Sequence, residues 1–109
     1  MTYIPTVSII ESAVFSRQVR LALPEDEYRL LQLALSARPT IGALIPGSGG
    51  LRKLRWRLTG RGKRGGARVI YYWHGARGTV HLLFLYAKND RSDLSREELR
   101  ALRQEIDHL

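Results

Sequence analysis

The chain has 109 residues, with 18 Lys+Arg against 10 Asp+Glu and no cysteine. That length supports one domain, and the missing thiols exclude a disulfide scaffold, a thiolate zinc site and a cysteine nucleophile. With 44% apolar residues the chain can bury a core and does not read as disordered. No apolar run reaches the roughly 18 residues of a membrane span, and residues 1–16 carry no basic residue ahead of an apolar stretch, as a secretory signal would. The expectation is one soluble, cytoplasmic domain over residues 1–109, without a membrane partner.

In chain order, residues 3–10, rich in Tyr, Ile, Val and Thr, predict a first strand. Residues 12–23 allow a short amphipathic helix. Pro24 followed by Glu25, Asp26 and Glu27 marks a helix start, with acids facing the positive end of the dipole. Tyr28, Leu31 and Leu35, with Leu30 and Ala34, then give one apolar helical face, ended by Pro39. Residues 38–50 read as a loop, with glycines at 42, 47, 49 and 50. Residues 51–58 switch to period two: Leu54, Trp56 and Leu58 share one face, and Lys53, Arg55 and Arg57 the other.

A Gly-rich basic loop, residues 59–67, leads to a strand over 68–74, which the turn 75–78 returns into a strand over 79–87. The nearly continuous apolar run 80–86 suits a central strand covered on both faces. Ser95 and Glu98 form a capping box, and Leu99, Leu102, Ile106 and Leu109 follow at helical spacing. The fold class is therefore α+β: an antiparallel sheet meander with N-terminal helices and a C-terminal helix.

The net charge of +8 is unevenly placed. Residues 1–27 and residues 90–109 each balance at −2, so residues 28–89 carry the whole excess: twelve Lys/Arg and no carboxylate. Eight of the twelve lie between Arg52 and Arg68. Unpaired cations repel one another, and solubilising faces normally mix both signs. A polyanion site, above all for nucleic acid, explains the pattern better than a solvated face does. An acidic protein partner would also account for it.

The chemistry open to such a site is narrow. Gly60 to Gly65 spells G-x-G-x-x-G but leads into a strand, so no helix N-terminus follows to take a pyrophosphate. A two-metal nuclease needs converging carboxylates, and the basic stretch has none. His74, His81 and His108 match no metal-ligand spacing and read as structural or exposed. RNA, however, carries its own nucleophile. Its 2′-OH attacks the adjacent phosphate once Lys and Arg stabilise the developing charge, and a Tyr or Lys with a pKa lowered by nearby cations would carry the proton, less effectively than His or Glu. Trp56, Tyr71, Tyr72 and Trp73 would stack on bases or, more commonly at alternating strand positions, join the core.

Several co-linear segments carry a family resemblance: Pro46-Gly47-Ser48-Gly49-Gly50-Leu51-Arg52-Lys53-Leu54-Arg55, the Gly60–Gly66 stretch, Arg68 through Tyr72, and Tyr86-Ala87-Lys88-Asn89-Asp90. Together they resemble the HigB-type branch of the RelE toxin superfamily, the toxins of type II toxin–antitoxin modules. The resemblance implies a small domain that enters the ribosomal A site and cleaves translated mRNA without metal or cofactor. It carries catalytic roles onto Lys53, Arg55, Arg68 and Lys88. Some relatives have an arginine where this chain has Asn89, and some a tyrosine near the C-terminus. No tyrosine follows Tyr86 here, so Tyr86 takes the proton-carrier role. The remaining bases, Arg52, Arg57, Arg61, Lys63 and Arg64, are read as RNA phosphate contacts.

The resemblance also implies a cognate antitoxin, with DNA met only indirectly through the toxin–antitoxin complex. Two other readings use the same basic face: a non-catalytic RNA- or ribosome-binding module, and a degenerate toxin kept as a protein interface.

Overall fold

The computed structural model describes residues 6–57, 66–88, 91 and 93–109. Its elements run β1 (Ser8–Glu11), α1 (Ala13–Ala22), α2 (Glu25–Ala37), β2 (Ala43–Leu44), β3 (Leu51–Trp56), β4 (Ala67–His74), β5 (Thr79–Ala87) and α3 (Arg96–Asp107). Three local devices set the helices. Ser12 caps α1 by accepting from the Phe15 amide. Three acids fill the first turn of α2 behind Pro24. Ser95 and Glu98 close the expected capping box on α3.

The strands form one sheet in the order β1-β5-β4-β3-β2. The β3–β4–β5 meander is antiparallel as expected, while β1 adds to β5 in parallel and makes the sheet mixed. The predicted first strand is shorter than its apolar run, because only Ser8–Glu11 pair with β5; residues 1–5 lie outside the described residues. Beyond Glu11, α1 takes over the edge of β5: Ser12 Oγ donates to the Leu83 carbonyl at 3.0 Å, and Gln18 Oε1 accepts from the Leu85 amide at 2.7 Å.

The segment read as a plain loop over 38–50 holds the two-residue strand β2. Two buried side chains, Tyr71 of β4 and Ser48 of the loop itself, fix it. The Tyr71 hydroxyl donates to the Pro39 carbonyl at 2.7 Å and accepts from the Gly42 amide at 2.8 Å. Ser48 Oγ donates to the Ile45 carbonyl and accepts from the Leu51 amide, closing the turn into β3.

Each sheet face has its own core. Against α1 and α2 pack Leu54, Val69, Tyr71, Val80, Leu82 and Leu85, with Phe15, Leu31 and Leu35 from the helices. Against α3 pack Leu51, Ile70, Leu83 and Tyr86, with Leu102 and Ile106. The expected apolar face of α2 narrows: Leu31 and Leu35 are buried, but Leu30 is 48% exposed, since it turns outward from the sheet. The double coverage expected of 80–86 is present, α1 and α2 on one side and α3 on the other.

Candidate functional site

Strand parity decides which side chains meet. On β3, Arg52, Leu54 and Trp56 take the α1/α2 side, where Leu54 is core and Trp56 packs against it. Lys53 and Arg55 share the α3 side with Leu51. On β4, Arg68 lies on the α3 side, and the register sets Arg55 opposite Arg68 and Arg68 opposite Tyr86. Residues paired this way have Cβ atoms about 4.5–5.5 Å apart. One row across three strands therefore reads Arg55, Arg68, Tyr86, with Lys53 one step along in the next row.

Tyr86 reaches this row through an irregularity in β5. The register slips between Ile70 and Tyr71, which pair with Phe84 and Leu82, leaving Leu83 as the extra residue. Leu83 and Phe84 consequently both pack on the α3 side. Strict alternation from Thr79 would have turned Tyr86 toward α1 and α2. The bulge turns it toward Arg68 instead, the re-aiming that bulges beside functional sites perform. An unbroken apolar run gives no sign of where such a bulge falls, so the sequence alone could not assign Tyr86 to a face.

Two residues that sequence reasoning missed complete the site. Asp93 Oδ1 accepts from Lys53 Nζ at 3.3 Å and from the Leu94 amide at 2.8 Å. Arg91 donates through both terminal nitrogens to the Glu98 carboxylate at 2.7 Å and lies 5.7 Å from the Tyr86 ring centroid and 5.9 Å from that of Phe84. Glu98 thus serves the helix cap and holds Arg91 over the ring. The pairings span 40 residues for Lys53–Asp93 and 7 for Arg91–Glu98, so no local period announces them. The acid-free stretch of sequence does gain a carboxylate in space.

The electrostatics correct one expectation. Nearby cations do not lower the Tyr86 hydroxyl; burial foremost, and then the Asp93 charge, raise it above the ordinary tyrosine value against the pull of Arg68 and Arg91. Tyr86 is 6% exposed, and its oxygen makes no hydrogen bond among the described residues. Asp93 is lowered, first by the Leu94 amide and then by Lys53. At neutral pH the site therefore presents cations, one ionised carboxylate and a neutral phenol.

Other expected contacts fall elsewhere. Arg52 donates to the Thr40 and Gly42 carbonyls at 3.1 and 2.7 Å, on the far face. Arg57 is exposed just past β3, and Lys88 just past β5, its amide donating to the Gly66 carbonyl at 3.1 Å. Gly66 has φ of +60°, and a Cβ there would meet the Trp56 carbonyl at 2.4 Å, so no other residue fits where the two strands close. Arg61, Lys63, Arg64 and Asn89 lie outside the described residues. Tyr71 is core; Tyr72, His74 and His81 form a ring cluster on the α3 side, 5.9–6.3 Å between centroids. Among the described residues no group of three His, Cys, Asp or Glu gathers to hold a metal ion, and no helix is long and apolar enough to cross a membrane.

The fold is that of a small α+β domain: a mixed five-stranded sheet between helices, with Lys53, Arg55 and Arg68 on its α3 side. Likeness to known proteins narrows that class. Residues 25–109 match the family model of the RelE toxin of the RelE/RelB toxin–antitoxin system, and the chain belongs to that family. In structure it resembles a doubly substituted E. coli RelE toxin in the free state, with a TM-score of 0.59 at 14% identity over 89% of this chain and 93% of that one. It also resembles the archaeal RelE–RelB complex from Pyrococcus horikoshii OT3, with a TM-score of 0.56 at 21% identity over 80% of this chain and all of that one. At those identities the likeness is one of fold, and it covers the mixed sheet and the three helices.

Proposed function

We propose that this toxin is a ribosome-dependent mRNA endonuclease of the HigB-type branch, working without a metal ion. The observation that carries the reading is the row Arg55, Arg68 and Tyr86, with Lys53 beside it, on the α3 side of the sheet, where Arg55 is exposed and Arg68 and Tyr86 are buried behind it. Arg55 and Arg68 face one another across neighbouring strands, so a phosphate held at this row would meet both guanidiniums.

In the proposed reaction the RNA 2′-OH gives its proton to water as its oxygen attacks the adjacent phosphorus. The bond to the 5′ oxygen breaks with a proton from Tyr86 that the phenol later regains from water, and a 2′,3′-cyclic phosphate and a 5′-OH result. Arg55 and Arg68 stabilise charge building on the non-bridging oxygens, and Lys53 and Lys88 hold the flanking backbone. Tyr86, neutral because burial and Asp93 raise it, donates its proton to the departing 5′ oxygen. Such a site binds a flexible strand weakly, which is the physical reason for assigning the ribosome the task of presenting the message.

A cognate antitoxin restrains the toxin in this reading, as the RelE–RelB complex of the archaeal relative illustrates. An acidic segment would complement the basic face, and DNA enters only through that complex. Inducing the toxin without antitoxin should arrest growth and cut mRNA only during translation. Equal cleavage of naked RNA would remove the ribosome from the account.

A further inference from the structure

In the sequence His74 and His81 stand seven positions apart, a spacing that belongs to no metal-binding motif. The β4–β5 hairpin brings them together. Its register sets Tyr72 opposite His81 and His74 opposite Thr79. The two histidines are therefore diagonal neighbours on one face, a placement that puts Cβ atoms about 7–8 Å apart. Their ring centroids are 6.3 Å apart, and Tyr72 closes a triangle of rings at 5.9 and 6.3 Å. Both imidazoles are partly exposed. Among the described residues only His108 spends a ring nitrogen, donating from Nδ1 to the Gln104 carbonyl at 2.7 Å.

The surroundings leave His81 in the form that binds a metal. β1 brings the apolar Ile10 into the same groove, and α3 brings Ile106 and one carboxylate, Glu105. The turn between the strands adds the exposed Arg77. Burial first, and then the His74 charge, hold the His81 imidazole below its ordinary value, since two protonated rings this close repel. At neutral pH His81 is thus uncharged, as a metal ligand must be.

We infer that His74 and His81 together hold one borderline divalent transition-metal ion, of which zinc is the redox-inert example, at the turn end of the β4–β5 hairpin. Imidazole nitrogen selects this class. It suits zinc, nickel and copper, whereas magnesium and calcium take oxygen ligands. Zinc lies about 2.0–2.1 Å from an imidazole nitrogen, so an ion shared by two rings spans centroids up to about 6.4 Å apart. The separation of 6.3 Å falls within that reach, and the broad χ2 torsion of histidine lets the rings turn onto the ion. No third His, Cys, Asp or Glu completes a group with them among the described residues. Water therefore fills the remaining positions, with Glu105 in the groove as an outer negative charge. Such a site is open and exchangeable, unlike a closed structural site with four protein ligands.

The site is separate from the row assigned to RNA. His74 stands six positions from Arg68 on β4, about 20 Å at roughly 3.3 Å per residue, so the ion takes no part in cleavage. It acts on the fold instead. His81 is also the register partner of Ile10 on β1, and an ion bridging it to His74 ties β4 to the strand on which β1 is seated. The inference stands whether or not the toxin depends on the ribosome.

The test titrates zinc chloride, and separately magnesium chloride, into the full-length chain without an added histidine tag, using calorimetry near neutral pH. His74→Gln and His81→Gln remove the two ligands, and His108→Gln is the control. Circular dichroism verifies that each variant folds, and His74→Gln alone carries the test if His81→Gln does not fold. A second measurement follows backbone amide NMR signals while copper(II), a paramagnetic member of the class, is added.

The wild type should bind one zinc ion per chain and no magnesium. Each ligand variant should bind zinc at least about 10-fold more weakly, and His108→Gln should match the wild type. Affinity should fall between about pH 7.5 and pH 5.5, because the ring nitrogens must shed their protons to bind. Zinc at about a hundred times its dissociation constant should raise the melting temperature by roughly 10 °C, a rise that His74→Gln removes. Copper broadening should centre on residues 72–74 and 79–81. Zinc binding unchanged in both ligand variants, or lost in His108→Gln instead, would overturn the site. So would equal affinity for magnesium, or broadening centred on the exposed acids of α3.

Discussion

On the α1/α2 side of the sheet, Phe15, Leu31, Leu35, Val69 and Tyr71 are fully buried in the larger of the two cores, against two helices. On the α3 side, Leu51 and Ile70 are buried as completely, but one helix covers only part of the strands, and the next row carries Arg55, Arg68 and Tyr86. The same backbone thus serves stability on one face and divides the other between packing and chemistry. The contrast teaches that a domain this small can place several cations on one sheet face because the opposite face supplies most of its core.

The contrast breaks first on core truncation. Phe15→Ala should lower the unfolding free energy by about 3–5 kcal/mol, against about 2–3 kcal/mol for Leu102→Ala on the α3 side, both read by urea denaturation. Equal costs would mean that the two faces share the load. Arg68→Ala comes next: cleavage in a translating extract should fall about 10²- to 10³-fold, the usual consequence of removing a donor aimed at developing charge.

Tyr86→Phe sharpens the division between packing and chemistry within one residue. Its ring is part of the α3-side core, yet its hydroxyl makes no hydrogen bond among the described residues. Stability should stay within about 0.5 kcal/mol of wild type, while cleavage drops about 10²-fold. A variant that unfolds readily but cleaves normally would reverse the assignment.

The smallest effect is on pH. His81, on the α3 side beside His74, is lowered from its ordinary value, first by burial and then by the His74 charge. The unfolded chain therefore binds this proton more readily than the folded one does. The stability is complete above the unfolded value near 6.5 and is lost as pH falls from there toward the depressed folded value. Melting temperature should drop between pH 7 and pH 5, and His81→Gln should flatten that drop.

How much of this could be read in advance depends on the range of the interaction concerned. Local devices were legible: the Ser95/Glu98 capping box, the acids opening α2, and the alternation that sets Lys53 and Arg55 against Leu54 and Trp56. The β3–β4–β5 meander followed from them. Features set by distant partners were not. The parallel seat of β1 depends on β5, 71 positions from Ser8 in the register. Strand β2 exists because Tyr71 and Arg52 reach its loop. Asp93 and Arg91 join the site only after the chain has folded back on β5. The orientation of Tyr86 hangs on one extra residue, Leu83, within the apolar stretch Leu82–Leu85, where any position suits either face.

The central claim is that the Arg55–Arg68–Tyr86 row, with Lys53, cuts RNA rather than merely holding it. Mapping 5′ ends of cellular mRNA after inducing the wild type and the Lys53→Ala/Arg68→Ala variant addresses it directly. The wild type should generate new 5′-OH ends inside translated codons, abolished when translation is blocked and absent from the variant. Unchanged RNA ends despite growth arrest by the wild type would contradict the claim and make the row a binding surface without catalysis.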